Sequence, residues 1–165
     1  MRIRLATYQD FEVYKALYED DDISVLYPPI ESKVKPQQES ESSDFFQFDE
    51  ETSKQILDYF KITRERYENE LADPKNYRIY LIEENNEIIG FAMLFKIERT
   101  RWKLAEFNVL REYQSQKLII YIVNELVNQS YVKTIDVCLF KEAYETMRNA
   151  GFEQLHANYF RKSRN

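Results

Sequence analysis

Residues 102–129, WKLAEFNVLREYQSQKLIIYIVNELVNQ, read as a strand, a polar turn and an amphipathic helix. The helix carries Leu118, Ile119, Ile122, Val123, Leu126 and Val127 on its apolar side. A strand that turns directly into a helix aims the helix N-terminus, with its unpaired N–H groups, at whatever lies beyond the strand end, and an anion is the natural ligand there. A phosphate-binding turn is therefore the first expectation. The turn itself, Arg111-Glu112-Tyr113-Gln114-Ser115-Gln116-Lys117, has no glycine.

The flanking sequence supplies a frame for this unit. Arg2 to Ala6 predicts a short strand, and Thr7 with Asp10 three residues on predicts a helix start followed by the stripe Phe11, Tyr14, Leu17 and Tyr18. A long polar loop spans about 19–48, opening on Glu19-Asp20-Asp21-Asp22 and carrying Pro28-Pro29 and Pro36. A second helix is expected over 49–71, with Ile56, Phe60, Tyr67 and Leu71 on one face and Asp73-Pro74 ending it. Tyr77 to Glu83 and Ile88 to Glu98 are β-rich runs joined through Asn85-Asn86, a pair that tolerates a tight hairpin. Trp102 to Leu110 follows as the third antiparallel strand.

Beyond the opening unit come a strand over Lys133 to Phe140, a short helix over Glu142 to Ala150 closed by a left-handed cap at Gly151, and a last strand over Gln154 to Arg161. The predicted order is β-α-α-β-β-β-α-β-α-β. This is a single domain over 1–165, with a mixed α/β (α+β) sheet flanked by helices.

A chain of 165 residues can bury roughly 70% of its unfolded surface in one core. With 13 tyrosines and 11 phenylalanines, that core is aromatic. The net charge of −6 argues against a general nucleic-acid or anionic-membrane binder and favours a cationic small molecule or basic peptide as partner. One cysteine, Cys138, excludes an intramolecular disulfide framework and suits a reducing compartment. The N-terminus has no apolar signal region and no run is long enough to span a membrane, so a cytoplasmic location is expected.

With these elements in order, the chain resembles the GNAT superfamily of acetyl-CoA-dependent N-acyltransferases along nearly its whole length. IRLATYQDFEVYKAL is similar to the family's first strand and helix, and LADPKNYRIYLIEENNEIIGFAML to the stretch leading into its central hairpin, Gly90 included. AEFNVLREYQSQKL resembles the strand and pyrophosphate turn, and KEAYETMRNAGF the late helix ending in Gly-Phe. The resemblance implies acetyl-CoA as cosubstrate. It implies that Val109 and Leu110 guide the pantetheine arm where the central strands splay, and that Gln114, Ser115, Gln116, Lys117, Leu118 and Ile119 hold the pyrophosphate.

The family turn is R/Q-x-x-G-x-G/A. Gln114 fits its first position, while Lys117 and Ile119 stand where the small residues belong. Lys117 and Arg111 bring positive charge in partial compensation.

Direct attack of an amine on a thioester needs a base for the ammonium proton and benefits from an acid for the leaving thiolate. At the position of the family's tyrosine acid this chain has Met147, and Tyr144, one helical turn earlier, is the candidate substitute. Strand alternation places Glu106, the candidate base, on the face of Leu104, Asn108 and Leu110. Cys138 reads as a small core residue and His156 as an ordinary strand residue, and no residues have metal-ligand spacing.

The leading expectation is acetyl transfer to a primary amine, a small molecule or peptide. Glu19 to Asp22 would attract a cationic acceptor, and a homodimer is compatible with the sequence. The alternative is a catalytically degenerate GNAT-like binding or regulatory module, motivated by the missing turn glycines and tyrosine acid.

Overall fold

The computed structural model describes residues 1–27, 51, 54–55 and 61–165. Its centre is a sheet of seven strands in the order β1-β2-β3-β4-β5-β7-β6, with β1 Arg2–Leu5, β2 Tyr77–Glu84, β3 Glu87–Lys96, β4 Arg101–Val109, β5 Thr134–Cys138, β6 Glu153–His156 and β7 Tyr159–Ser163. All neighbours run antiparallel except β4 and β5. Asn85 and Asn86 both take positive φ, 51° and 66°, as a two-residue hairpin requires. The strand expected over 154–161 is instead two strands: Ala157, at φ 41°, turns the chain back so that β6 pairs with β7.

Besides the helical residues 51 and 54–55, the helices with described bounds are α1 Phe11–Glu19, α2 Arg64–Ala72, α3 Gln116–Val127 and α4 Tyr144–Asn149. The start expected at Thr7 is a 3-10 turn, Tyr8–Asp10, that leads into α1, and the Asp10 carboxylate accepts from both Thr7 N–H and Thr7 Oγ1 at 2.8 Å. The helix expected over 49–71 is interrupted: residues 51 and 54–55 are helical, and α2 begins only at Arg64. Residues 61–63 are not helical, and Thr63 Oγ1 caps a new start by accepting from Arg66 N–H at 3.2 Å. Ile56 and Phe60 lie outside the described residues. α4 ends in a Schellman cap: Gly151, at φ 87°, donates to Arg148 O and Phe152 donates to Met147 O.

The two faces of the sheet bury separate cores. Against α1 and α2 lies an aromatic cluster including Phe11, Tyr14, Tyr67, Phe91 and Met93. Against α3 and α4 lies a larger one including Leu104, Phe107, Val109, Ile122, Leu126 and Met147. β4 separates the two, and the candidate site is at its C-terminal end.

Candidate active site

β4 and β5 pair only over Arg101–Lys103 and Thr134–Asp136, although β4 continues to Val109. Beyond that point the strands part. The paired end is tied by Asp136, which is fully buried and bonded by Arg161 Nε at 2.6 Å and Nη2 at 2.9 Å and by the Tyr159 hydroxyl, with Arg101 Nε at 3.5 Å. At the open end one edge of β4 has no β5 partner, the kind of edge along which an extended segment can bond.

A bulge determines which side chains reach this opening. Met93 faces Glu106 and Leu94 faces Leu104, so Ala105 is the extra residue. Leu104 therefore packs with α3 and α4, whereas Glu106 and Asn108 belong to the α1 side. The single face expected for Leu104, Glu106 and Asn108 does not exist; the bulge transfers the last two to the opposite layer. Asn108 Nδ2 donates to Leu17 O at 2.7 Å, fixing β4 to the end of α1.

Glu106 sits among phenols. Burial first, then the charge of Glu106, pushes up the Tyr18 hydroxyl, while Arg66 opposes both. Tyr27 is pushed up to about 12 by burial, then by Glu106 and Cys138. These phenols are protonated at neutral pH and can donate hydrogen bonds toward the carboxylate or a bound acceptor. Burial also pushes up the Glu70 carboxyl, against the pull of Arg66 at 3.0 Å.

The turn is built differently from a bare glycine cradle. Ser115 caps α3, its Oγ accepting from Leu118 N–H at 3.2 Å, and its own N–H bonds Tyr113 O. Ile119 points into the core and is 5% exposed, so its branched side chain forms a floor rather than an obstruction. Leu118 is half-buried against the same core. Ile119 N–H is already spent on Ser115 O, which leaves the N–H groups of Gln116 and Lys117 as the first-turn donors that an anion can meet. Lys117 and Gln116 are exposed. Gln114 turns inward instead, its Nε2 donating to Val109 O at 2.6 Å and Ile23 O at 3.0 Å. Val109 borders the opening through that carbonyl, whereas Leu110 N–H bonds Ile89 O at 2.8 Å and faces β3.

The residues least visible in the sequence are Asp22 to Tyr27, the end of the acidic stretch. Val25 N–H donates to Phe107 O at 2.8 Å, and Phe140 N–H donates to Leu26 O at 3.3 Å, so this segment lies between β4 and the chain leaving β5. Ser24 pairs with Asn108 as an isolated antiparallel bridge. Arg111 Nε donates to Asp22 O at 3.2 Å, and its Nη2 lies 3.3 Å from Asp22 Oδ1. Asp22, expected to attract a cationic acceptor, is thus paired with Arg111. A groove of about 400 Å³ remains beside the segment, lined by Arg111, Gln116, Ile119 and Thr146 together with the carboxylates of Asp22 and Glu142.

The two candidate catalytic residues are not brought together. Tyr144 donates to Ala157 O at 3.3 Å, packs on Phe160 and lies under Arg148, all in the α4 layer. Glu106 faces the α1 layer. Met147 is fully buried in the core. Cys138 is half-buried and His156 stacks on Tyr159, with ring centroids 5.2 Å apart. Among the described residues no three His, Cys, Asp or Glu are grouped to hold a metal, and no helix is long and apolar enough to cross a membrane.

A mixed seven-stranded sheet whose parallel central pair parts beside a strand–turn–helix unit defines an acyl-CoA N-acyltransferase fold. Residues 36–134, more than half of the chain, match the model of the acetyltransferase (GNAT) family, and the chain belongs to that family. It is thus a GNAT-type N-acetyltransferase, and the acyl donor of the family is acetyl-CoA.

Solved structures of the same fold include the PaiA N-acetyltransferase of Thermoplasma acidophilum with coenzyme A, at TM-score 0.64 and 13% identity over 99% of this chain and 98% of that one. The spermidine N-acetyltransferase of Vibrio cholerae with CoA and spermine superposes at 0.64 and 15% identity over 97% and 92%. An aminoglycoside acetyltransferase with coenzyme A and kanamycin gives 0.64 and 16% over 98% and 94%. No curated protein sequence matches this one.

Proposed function

We propose that this protein transfers the acetyl group of acetyl-CoA to a primary amine by direct attack, with Glu106 as the general base. The observation that carries the reading is the placement of Glu106 by the β4 bulge, on the acceptor-side layer next to the point where β4 leaves β5. The donor, when bound, supplies an activated acetyl thioester. The turn residues fit its pyrophosphate: Gln116 and Lys117 offer backbone N–H groups, and Lys117 and Arg111 offer cationic side chains. Ile119 and Leu118 support that turn from the core, and Ser115 and Gln114 fix its shape. Val109 lines the path of the pantetheine arm. Tyr144, whose hydroxyl holds the Ala157 turn, is not assigned the acid role.

Glu106 takes the ammonium proton of the acceptor, directly or through water, so that the free amine can attack. The acceptor enters between α1, α2 and β4, where Tyr18 and Glu106 meet it. A polyamine or amino-sugar amine is the class suggested by the solved structures that hold spermine and kanamycin. A cytoplasmic location, where acetyl-CoA is available and Cys138 stays reduced, belongs to the same proposal. A non-catalytic binding module is favoured by one observation, the filling of the β4/β5 opening by the chain's own residues.

Acetyl transfer from acetyl-CoA to a panel containing spermidine and kanamycin separates the readings. Glu106→Gln is expected to lower kcat about 100-fold with the KM for acetyl-CoA unchanged. Wild-type turnover that Glu106→Gln leaves intact would remove the base assignment; the absence of turnover with every amine would favour the binding module.

A further inference from the structure

We infer that Asp22–Tyr27 is a built-in occupant of the acyl-donor channel, a strap that must leave the β4/β5 opening before acetyl-CoA can enter. The inference rests on the donor site proposed above. The opening creates a hydrogen-bonding edge. On the β4 side, the carbonyl oxygens of Phe107 and Val109 face the gap, and both are taken, by Val25 N–H at 2.8 Å and Gln114 Nε2 at 2.6 Å. On the β5 side, Phe140 N–H is taken by Leu26 O. The strap thus bonds both walls of the gap, as an extended amide-bearing ligand would.

Its other end duplicates the second half of the donor. Arg111, a cation of the turn, is neutralised by the Asp22 carboxylate at 3.3 Å and also bonds the Asp22 carbonyl. An incoming pyrophosphate and Asp22 compete for this guanidinium. One short segment therefore combines an extended backbone lying along β4 with a carboxylate on Arg111. A pantetheine arm joined to a pyrophosphate offers the same two features in the same order.

The strap is held in place mainly by side chains. Ile23 is 3% exposed in the α1 core and Leu26 is fully buried in the α3 core, so release exposes both. Its polar ties are few, and the Arg111–Asp22 pair is more than half exposed on one side and nearly so on the other, which makes the segment a candidate for local opening without global unfolding. A donor that binds only the open form has its apparent affinity reduced by the fraction of molecules that are open. Weakening the strap should therefore tighten donor binding, the reverse of what loss of a binding residue does.

Calorimetric titration of acetyl-CoA tests this on the full chain and two variants, with amide hydrogen exchange read at Val25 in the wild type and in Asp22→Ala. Asp22→Ala removes the pair with Arg111 from an exposed position. Val25→Pro removes the donor to Phe107 O, and Ser24 before it, at φ −64° and ψ 130°, already has the extended form that proline demands of its predecessor. Acetyl-CoA is expected to accelerate exchange at Val25 at least about tenfold while Leu81 in the central sheet stays protected. Binding is expected to tighten about two- to fivefold in Asp22→Ala and about five- to tenfold in Val25→Pro. Should Val25→Pro fail to fold, the exposed Asp22→Ala variant and the exchange measurement still decide.

Equal affinity in wild type and variants, with Val25 still protected in the bound state, would overturn the strap and leave the donor site standing. No binding by any of the three folded proteins at about 1 mM, the upper end of ordinary KM values, would overturn the donor site, and the strap with it.

Discussion

The two ends of the β4–β5 pair are built on opposite principles. At the paired end, a fully buried carboxylate, Asp136, is enclosed by Arg161, Tyr159 and Arg101, and β7 closes the far side of β5. At the parted end, the gap is spanned by a few backbone bonds, an exposed ion pair and the buried side chains of Ile23 and Leu26. Broken burial of a charge is costly, whereas an exposed pair contributes little. The comparison teaches that the sheet is clamped beneath the site so that its mouth can be loosely held.

The largest test is at the clamp. Asp136→Asn keeps the volume but leaves Arg161 and Arg101 without their anion, and urea unfolding should show a loss of about 3 kcal/mol. A loss under about 1 kcal/mol would put the clamp in the range of an exposed pair and break the comparison.

Acid titration probes the same end without mutation. Burial pushes the Asp136 carboxyl up, but the hydrogen bonds of Arg161 and Tyr159 and the charge of Arg101 outweigh it, and the net displacement is downward. Asp10 is held at about 2, below the ordinary 3.8, chiefly by its hydrogen bonds from Arg4 and against the opposing effect of burial. Both folded values lie below the unfolded ones, so the stabilisation is complete above about pH 4 and is lost as pH falls through the folded values. Asp10 alone should cost about 2 kcal/mol on passing from pH 5 to below pH 2, read as a falling urea midpoint. Asp10→Asn should flatten that slope; an unchanged slope would remove the Arg4 pairing as its cause.

How much of this was legible in the sequence depended on range. Asn85-Asn86, the Thr7–Asp10 start and the Gly151 cap are local chemistry, and each reads from neighbours within a few residues. The bulge at Ala105 does not. It depends on Leu94 opposing Leu104 across two strands, and a one-residue offset reverses every later face, which is why Glu106 was placed with Leu104. The break before α2 has no proline or glycine to mark it; Ile62 is buried and Thr63 caps a new helix. The turn at Ala157 uses a non-glycine residue at positive φ, so β6 and β7 read as one strand. The strap was hidden for the same reason as the bulge. Ile23 and Leu26 look like isolated apolar residues after an acidic run, and their hydrogen-bond partners lie far along the chain, Gln114 for Ile23 and Phe140 for Leu26.

Gly90 tests the parted end from its β3 side. It faces Val109, and a Cβ there would lie 2.4 Å from Asn108 O and 3.0 Å from Val109 Cα, both backbone atoms. Gly90→Ala should cost about 2 kcal/mol in urea unfolding, because neither atom can move without shifting β4. A neutral result would mean that β4 yields on both edges at this end. The expected loss confines the looseness to the edge that faces the strap.

The smallest expected effect belongs to that looser edge. Arg111→Ala removes the ion pair with Asp22 and the bond to its carbonyl, between side chains that are 62% and 47% exposed. Solvent screens such a pair, so the loss should be about 0.5 kcal/mol, less than about 2 °C in melting temperature for a chain of this size. A loss above about 2 kcal/mol would show that the mouth is held as tightly as the clamp. The same substitution takes a cation from the turn. Donor affinity then reports the balance of two opposed terms, one lost contact to phosphate and one released strap, and Asp22→Ala isolates the second because it frees the strap and keeps the guanidinium.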